Sequence, residues 1–510
     1  MITIPATMRE PGDEQSFSPQ PVDAAHALSL LLAGGGDGRI RPDPATGRNR
    51  YGTRMTPAPH EIAFASTTAS NVSTEGFLAA DAQLRRLFGA DTAQSVGIDD
   101  WFASIRVGIA QAFGCGDADV ILAASGTDVE LLVIGLVSAL STRPLTSILI
   151  APEETGSGVP RAAAGRHFSD ATALGSAVTA GAMLEGFSAE RIELRSVAIR
   201  NELGQPRSAC DIDSDVIAAV EQELKRDRDV LVHVLDTSKT GLAGVSRQAA
   251  RYVSSLAPER VRVLVDACQF RCTRAALRQD IADGFLVAVT GSKFLGGPPF
   301  AGALLLPPSI AAELASATDF PTGLSCYTAL HDWPASRRAT ATLVFGSHFN
   351  LGLGLRWAAA LAQVNSARTV DDRLQFEIRA AFTELVRARI GVLHNAFVHP
   401  DDEGEHVATR TIVPLTITNK AGAFSSLAEV QKLHLALREE GCGPVCHVGQ
   451  AVNLGHRTIL RVAASALDIN TVSQGLAAGL PLSKALEPIA ANLDVLFEKW
   501  ATISNRVKGV

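Results

Sequence analysis

The sequence predicts an α/β fold: a large domain whose mainly parallel sheet is covered by helices, followed by a smaller α+β C-terminal domain. Two observations carry this expectation. From roughly residue 118 to 306 short apolar runs alternate with stretches of helical period, the pattern of βαβ units around a sheet buried on both faces. After about residue 345 the texture changes to a long Ala- and Arg-rich helical stretch and then to isolated strands and helices, which marks a second domain.

In chain order, residues 1–105 read as an N-terminal arm and substrate-proximal segment. Its first part is rich in Pro, Gly and Asp, with Gly34-Gly35-Gly36-Asp37-Gly38 and Arg41-Pro42-Asp43-Pro44 as turn punctuation and one helix near residues 22–32. The large domain, 106–345, carries expected strands at 120–124, 147–151, 230–235, 261–266, 286–290 and 303–306, with helices at 128–140, 214–225 and 246–256. The last unit, 346–510, begins with an expected interdomain helix over 351–390. Strands at 411–418 and 458–463 and helices at 428–440 and 472–500 follow. Ligands of open α/β sheets bind beyond the carboxyl ends of the strands, so the turns after the strands are where functional residues are expected.

Composition narrows the function. The 510 residues are 46% hydrophobic with a mean hydropathy of +0.16, ample for sizeable cores. A formal net charge of −7 leaves no polycationic face, so neither nucleic acid nor an anionic membrane is an expected partner. No apolar run reaches the roughly 18 to 20 residues that span a bilayer, and residues 1–20 lack a basic region followed by an apolar one. A cytoplasmic location is therefore expected. Seven cysteines, an odd number scattered along a long chain, argue for reduced thiols. The close pairs Cys268/Cys272 and Cys442/Cys446 lack CxxC spacing, and no metal site is expected.

The run Thr290-Gly291-Ser292-Lys293-Phe294-Leu295-Gly296-Gly297-Pro298-Pro299-Phe300 sets a lysine among small and apolar residues with no acidic neighbour. Lysine is scarce, at eight against 38 arginines, and Lys293 lies between apolar stretches. Burial lowers an ammonium's pKa, and a neutral lysine attacks a carbonyl to form a Schiff base. Asp266 closes an apolar strand 27 residues earlier, about one strand-helix-strand excursion, so both residues can reach one site at the sheet edge. An aspartate facing a protonated pyridine nitrogen and a lysine joined to the same ring's aldehyde are the protein machinery of pyridoxal 5'-phosphate. The plainer reading of Asp266 is a cap for the next helix. Ser125-Gly126-Thr127-Asp128 ends one strand and opens a helix, where small residues, hydroxyls and the helix dipole suit a phosphate; it is equally an ordinary cap. Thr290 and Ser292 are placed to add hydroxyls to the same phosphate.

This ordered set, Ser125-Gly126-Thr127, Asp266-Ala267-Cys268-Gln269 and the lysine run, resembles the fold-type I pyridoxal-phosphate enzymes, over roughly residues 110–470. It looks most similar to the branch of class V aminotransferases, cysteine desulfurases and kynureninases. The resemblance implies a seven-stranded type of sheet. It also implies Ser125, Gly126 and Thr127 at the phosphate, Asp266 at the pyridine nitrogen, Gln269 at the phenolic oxygen and Lys293 as the residue of the internal aldimine. Gly346-Ser347 resembles the loop with which a neighbouring subunit completes the phosphate site, implying Ser347 and a homodimer with a shared active site. Leu460-Arg461-Val462-Ala463-Ala464-Ser465 resembles the strand whose arginine forks a substrate carboxylate, implying Arg461; a surface ion pair is the competing reading.

The sequence also departs from that pattern. Ser292 stands where many members carry histidine, and Pro152-Glu153-Glu154-Thr155-Gly156-Ser157-Gly158 replaces the expected ring-stacking residue. In the turn Ser238-Lys239-Thr240-Gly241, Ser238 is expected to face the ring and Lys239 reads as a solvated charge. Cys446 lies 15 residues before Arg461, a spacing that resembles the mobile thiol loop of cysteine desulfurases, although an inert thiol beside a strand is the preferred reading. Tyr51 and Arg54, in Arg48-Asn49-Arg50-Tyr51-Gly52-Thr53-Arg54, and the hydroxyl-rich segment 64–71 are candidates for an active-site mouth or for plain surface. The expected function is a pyridoxal-phosphate enzyme acting at Cα of an amino-acid substrate, foremost an aminotransferase of class V type. The alternatives are a cysteine desulfurase-like or other C–S lyase and a non-catalytic cofactor-binding protein.

Overall fold

The computed structural model describes residues 24–89, 96–317, 320–338, 344–367, 370, 372–402 and 411–506. Residues 1–20, where no secretory signal is expected, lie outside this set. Among the described residues twelve strands build two sheets: β1 (Ile62–Phe64), β2 (Asp119–Ala123), β3 (Leu145–Ile150), β4 (Ile192–Val197), β5 (Asp229–Leu235), β6 (Val261–Asp266), β7 (Leu286–Thr290), β8 (Gly302–Leu306), β9 (Ala396–Phe397), β10 (Ile412–Ile417), β11 (Cys446–Leu454) and β12 (Arg457–Ala463).

The large sheet has seven strands in the order β2-β8-β7-β6-β5-β3-β4, and all run parallel except β8, which is antiparallel to both its neighbours. The carboxyl ends of the other six therefore share one edge. β3, β5 and β7 are buried at every position, as continuous apolar strands are when helices cover both faces. The crossover helices start where hydroxyl caps stop the backbone. Ser125, Ser208, Ser246 and Thr273 accept amide hydrogen bonds at the starts of helices Gly126–Ala139, Ala209–Lys225, Arg247–Leu256 and Arg274–Ala282. The helix Gly126–Ala139 is buried almost throughout and wedges beneath the sheet.

The second sheet has the order β1-β11-β12-β10-β9. β1 belongs to the N-terminal segment yet pairs parallel with β11, from Ile62 opposite Cys446 to Phe64 opposite Val448. The N-terminal segment thus joins the small domain's sheet, while helices Ala24–Ala33, Thr74–Phe88 and Ile98–Ala112 all pack on helix Leu351–Ala367. The expected single helix over 351–390 is two, Leu351–Ala367 and Asp372–Ile390, on either side of Val370. Val370, a bend between them, is β-branched and a poor helix interior, and Asp372 suits a helix start. No helix among the described residues is long and apolar enough to cross a membrane.

Candidate active site

A cavity of about 310 Å3 lies over the shared carboxyl edge of the large sheet and is roofed by the small sheet and the N-terminal segment. Every parallel strand from β2 to β3 sends its following turn into it. β2 gives Ser125, Gly126 and Thr127; β3 gives Glu154 and Thr155; β5 gives Thr237 and Lys239; β6 gives Asp266, Cys268 and Gln269; β7 gives Thr290, Ser292 and Lys293. From above come Arg39, Tyr51, Thr67 and Thr68 of the N-terminal segment and Gln450 and Arg461 of the small sheet. A larger cavity of about 500 Å3 shares Thr237 with this one but contains no lysine.

Local backbone geometry is spent on this edge. Among the described residues, three of the four non-glycine residues with positive φ flank the cavity: Ala151 (46°) before the Glu154 turn, Phe270 (47°) after Gln269, and Phe300 (69°) in the wall. Such conformations cost about 1 to 3 kcal/mol each and persist where the surroundings enforce them. Gly126 is held close against the turn after β6, where a Cβ would stand 2.8 Å from the Cys268 sulfur. β11 and β12 shift register between Gly449 and Val452, and this irregularity lets the Gln450 carbonyl turn toward Arg461.

At the cradle, the amides of Gly126 and Thr127 open the helix with no partner inside it, the condition for anion binding. The Ser125 hydroxyl donates to the Asp128 carboxylate. That carboxylate is fully buried, and burial raises its pKa to about 6, with Asp37 adding to the rise. Arg39, which no sequence signal marked, faces this end; its guanidinium pairs with Asp37 at 2.6 Å and lies over the Phe300 ring. The Thr290 hydroxyl is engaged, donating to the Cys268 carbonyl at 2.9 Å, whereas Ser292 is buried at the wall.

In the centre stand Asp266 and Lys293. One Asp266 oxygen accepts the Cys268 amide at 3.0 Å, and among the described residues no ion pair joins its carboxylate to a cation. Lys293 likewise has no ion-pair partner there, and its carbonyl accepts the Ser70 hydroxyl. The Gln269 amide nitrogen donates to the Thr67 carbonyl at 3.1 Å, which leaves its buried Oε1 without a partner.

The far end is cationic. Arg461 on β12 is buried, donating to the Gln450 carbonyl (2.7 Å), the Thr68 hydroxyl (3.3 Å) and the Lys239 carbonyl (3.3 Å), while its Nε has no partner. Burial lowers its pKa to about 10, and no carboxylate pairs with it among the described residues. Beside it Lys239 is half-buried, and burial together with the charges of Arg461 and Lys293 lowers its ammonium to about 8. The reading of Lys239 as a solvated charge is thereby corrected: the turn after β5 folds back under the small sheet.

Four sequence candidates lie elsewhere. Ser238 points away from the cavity and donates to Glu154 at 2.5 Å; Glu154 is itself buried in an ion pair with Arg200. The unusual carboxylate after β3 thus lines the cavity beside Thr155 but is held from behind by Arg200. Arg54 lies outside, 3.6 Å from Glu61. Ser347 is exposed and lies outside the cavity. Cys446 is the first residue of β11, fully buried, its thiol near the Pro444 carbonyl and pushed up to about 11 by burial. It occupies a paired strand rather than a mobile loop. The strand was missed because Gly443-Pro444 and Gly449 read as loop punctuation.

Strand order, one antiparallel strand and a site at the shared carboxyl edge together define the fold-type I α/β architecture. No protein-family model matches the chain and no curated protein matches its sequence. Among solved structures the chain is similar to a NifS-like protein, with TM-score 0.54 and 11% identity, covering 88% of this chain and all of that one. It is similar also to the cysteine desulfurase CsdA of Escherichia coli (TM-score 0.53, 12% identity, 88% of this chain and 94% of that one). A third likeness is to Oryza sativa TDC solved with PLP and tryptamine (TM-score 0.51, 14% identity), which covers 97% of this chain and 92% of that one. At such identities these likenesses establish the fold.

Proposed function

We propose that the cavity holds pyridoxal 5'-phosphate and that the protein is an aminotransferase acting at Cα of an amino acid. The observation that carries this reading is the pairing of opposites in one cavity: a carboxylate without a cation, Asp266, and a lysine without a carboxylate, Lys293, beside a helix N-terminus whose amides are free. The residues fit the group. Gly126 keeps the cradle open where any Cβ would close it, and the Gln269 Oε1 and Arg461 Nε are buried polar atoms awaiting partners. The likeness to Oryza sativa TDC, solved with PLP and tryptamine, supports the choice.

In this reading the Gly126 and Thr127 amides and Arg39 hold the phosphate, Asp266 holds the ring N–H, and Gln269 stands at the phenolic oxygen. Arg461 forks the substrate's α-carboxylate and so fixes which Cα bond faces Lys293. The cofactor supplies an electron sink for the pair released at Cα. Lys293 Nζ would take the proton from Cα on one face and deliver it on that face to the carbon that receives the amino group, while the roof of Thr67, Thr68 and Gln450 limits water. Transamination is preferred over sulfur transfer because Cys446 lies buried in β11, and the cysteine that lines the cavity, Cys268, packs against Gly126. We further infer a homodimer in which the exposed Ser347 completes the partner's phosphate site.

The test is spectroscopic. The purified protein loaded with the cofactor is expected to show a visible absorption band, and borohydride followed by peptide mapping should mark Lys293. Lys293→Ala is expected to lose both band and turnover; a band and label that survive in this variant would refute the assignment.

A further inference from the structure

The charges in the cavity do not balance on an ordinary monocarboxylic amino acid. Four cations line it: Arg39, Lys239, Lys293 and Arg461. Arg39 is engaged by Asp37 and faces the cradle. Lys293 is committed to the cofactor in the reading above, and Asp266 to the ring nitrogen. Glu154, the other lining carboxylate, is already bound by Arg200, Ser238 and Thr240. Arg461 and Lys239 remain, joined through the Arg461 to Lys239-carbonyl hydrogen bond and facing the same space.

Two like charges in a partly buried wall repel and are held there at a cost unless anions arrive. An α-carboxylate satisfies one of them. The cofactor phosphate cannot serve the other, because its cradle follows β2 while Lys239 follows β5, with β8, β7 and β6 between them in the sheet. Nor does the protein supply a paired anion: Glu154 and Glu153 favour the ammonium only from beyond ion-pair distance. Among the described residues no carboxylate lies within ion-pair distance of Lys239, and the nearby Glu153 side chain is exposed.

We propose, resting on the reading above, that the substrate is an amino acid with a second, distal carboxylate, and that Lys239 is the residue that receives it. Arg461 takes the α-carboxylate, and Lys239 fixes the length and charge of the side chain. The unusual segment after β3 then has a role as well. The buried Glu154 carboxylate, fixed by Arg200, hydrogen-bonds Ser238 and Thr240 on either side of Lys239, and the Glu154 carbonyl accepts the Lys239 amide at 3.1 Å. The turn that aims the ammonium is thus built by positioning residues rather than left to solvent.

The experiment is calorimetric titration of the cofactor-loaded protein with succinate and glutarate as diacids and with propionate and butyrate as monoacids, none of which can react. The wild type is expected to bind a diacid at least about tenfold more tightly than its monoacid counterpart. Lys239→Met should bring the diacid down to the monoacid's level while leaving monoacid affinity unchanged, and Lys239→Arg should restore the preference. Arg461→Met should weaken both classes. An equal loss of mono- and diacid affinity in Lys239→Met, or no diacid preference in the wild type, would overturn the proposal. Circular dichroism of each variant excludes a folding defect as the cause. The cofactor reading fails on a different result, an unlabelled Lys293 after borohydride; a diacid preference that persists and depends on Lys239 would survive that failure.

Discussion

Gly126 offers the sharpest perturbation, because one methyl group there has a named collision. A Cβ at this position would meet the Cys268 sulfur at 2.8 Å and the Thr290 methyl at 3.6 Å. The first distance is shorter than real Cβ contacts essentially ever are, and Cys268 is buried, so its sulfur must rotate or the cradle must open. Overpacking of this kind costs roughly 1 to 3 kcal/mol. If the cradle opens, its amides leave the phosphate, and the same energy appears as a cofactor dissociation constant raised about 5- to 150-fold. The assay is fluorescence titration of the cofactor into Gly126→Ala, Cys268→Ala and the double variant. Cys268→Ala alone should bind the cofactor almost normally, and in the double variant most of the loss in Gly126→Ala should be recovered, because the sulfur that collided is gone. A double variant as weak as Gly126→Ala would refute the reasoning, showing that the methyl clashes with the phosphate itself and not with the turn after β6.

Removing one partner of the Glu154–Arg200 pair leaves a buried charge, so Glu154→Leu is expected to destabilise the fold by about 3 to 5 kcal/mol, with Glu154→Leu/Arg200→Met recovering much of it in chemical unfolding; equal losses in the two would sink the ion-pair account. Burial raises the Asp128 carboxyl from 3.8 to about 6, so its charged form opposes folding. The sign follows: stability from this group is complete below about pH 4 and is lost as pH rises through 6. Asp128→Asn should therefore gain up to about 3 kcal/mol at pH 8 and nothing near pH 3.5, and a gain independent of pH would contradict it. For Lys239, facing Arg461, Lys293, Glu153 and Glu154, the ammonium is lost as pH rises past about 8. The diacid preference should fade over that range in the wild type and persist in Lys239→Arg, as titrations at pH 7 and 9.5 would report.

The large domain was legible because its signals are local and one-dimensional. Six of its seven strands are apolar runs that the sequence displays, and each observed span, such as Val261–Asp266 and Leu286–Thr290, begins and ends within two residues of expectation. β4 was invisible for the opposite reason: as an edge strand its IELRSV sequence leaves Glu193 and Arg195 half-buried and Ser196 exposed, and polar residues mask the strand. Pairings over long separations were invisible too. Nothing near Ile62 announces a parallel partner at Cys446, because β1 is three residues long and its register is set by the sheet it joins.

The same division runs through the site. Asp266, Lys293 and Gly126 were found because each follows a visible strand, and strand ends in a parallel sheet must converge on one edge. Lys239 follows a visible strand as well, yet its charge was misread, since what buries it is the small sheet and Arg461, some 220 residues later. Arg39 stands in a glycine-rich segment with no periodicity at all. Residues placed by the sheet could be read from one segment, whereas residues placed by the roof could not. In this fold the sheet edge offers the groups suited to a cofactor, and the roof, with Tyr51, Thr68, Gln450 and Arg461, offers those suited to a substrate. Sequence reading therefore reaches the proposed cofactor before it reaches the substrate, and the charge imbalance between Arg461 and Lys239 became visible only once the two layers were closed on each other.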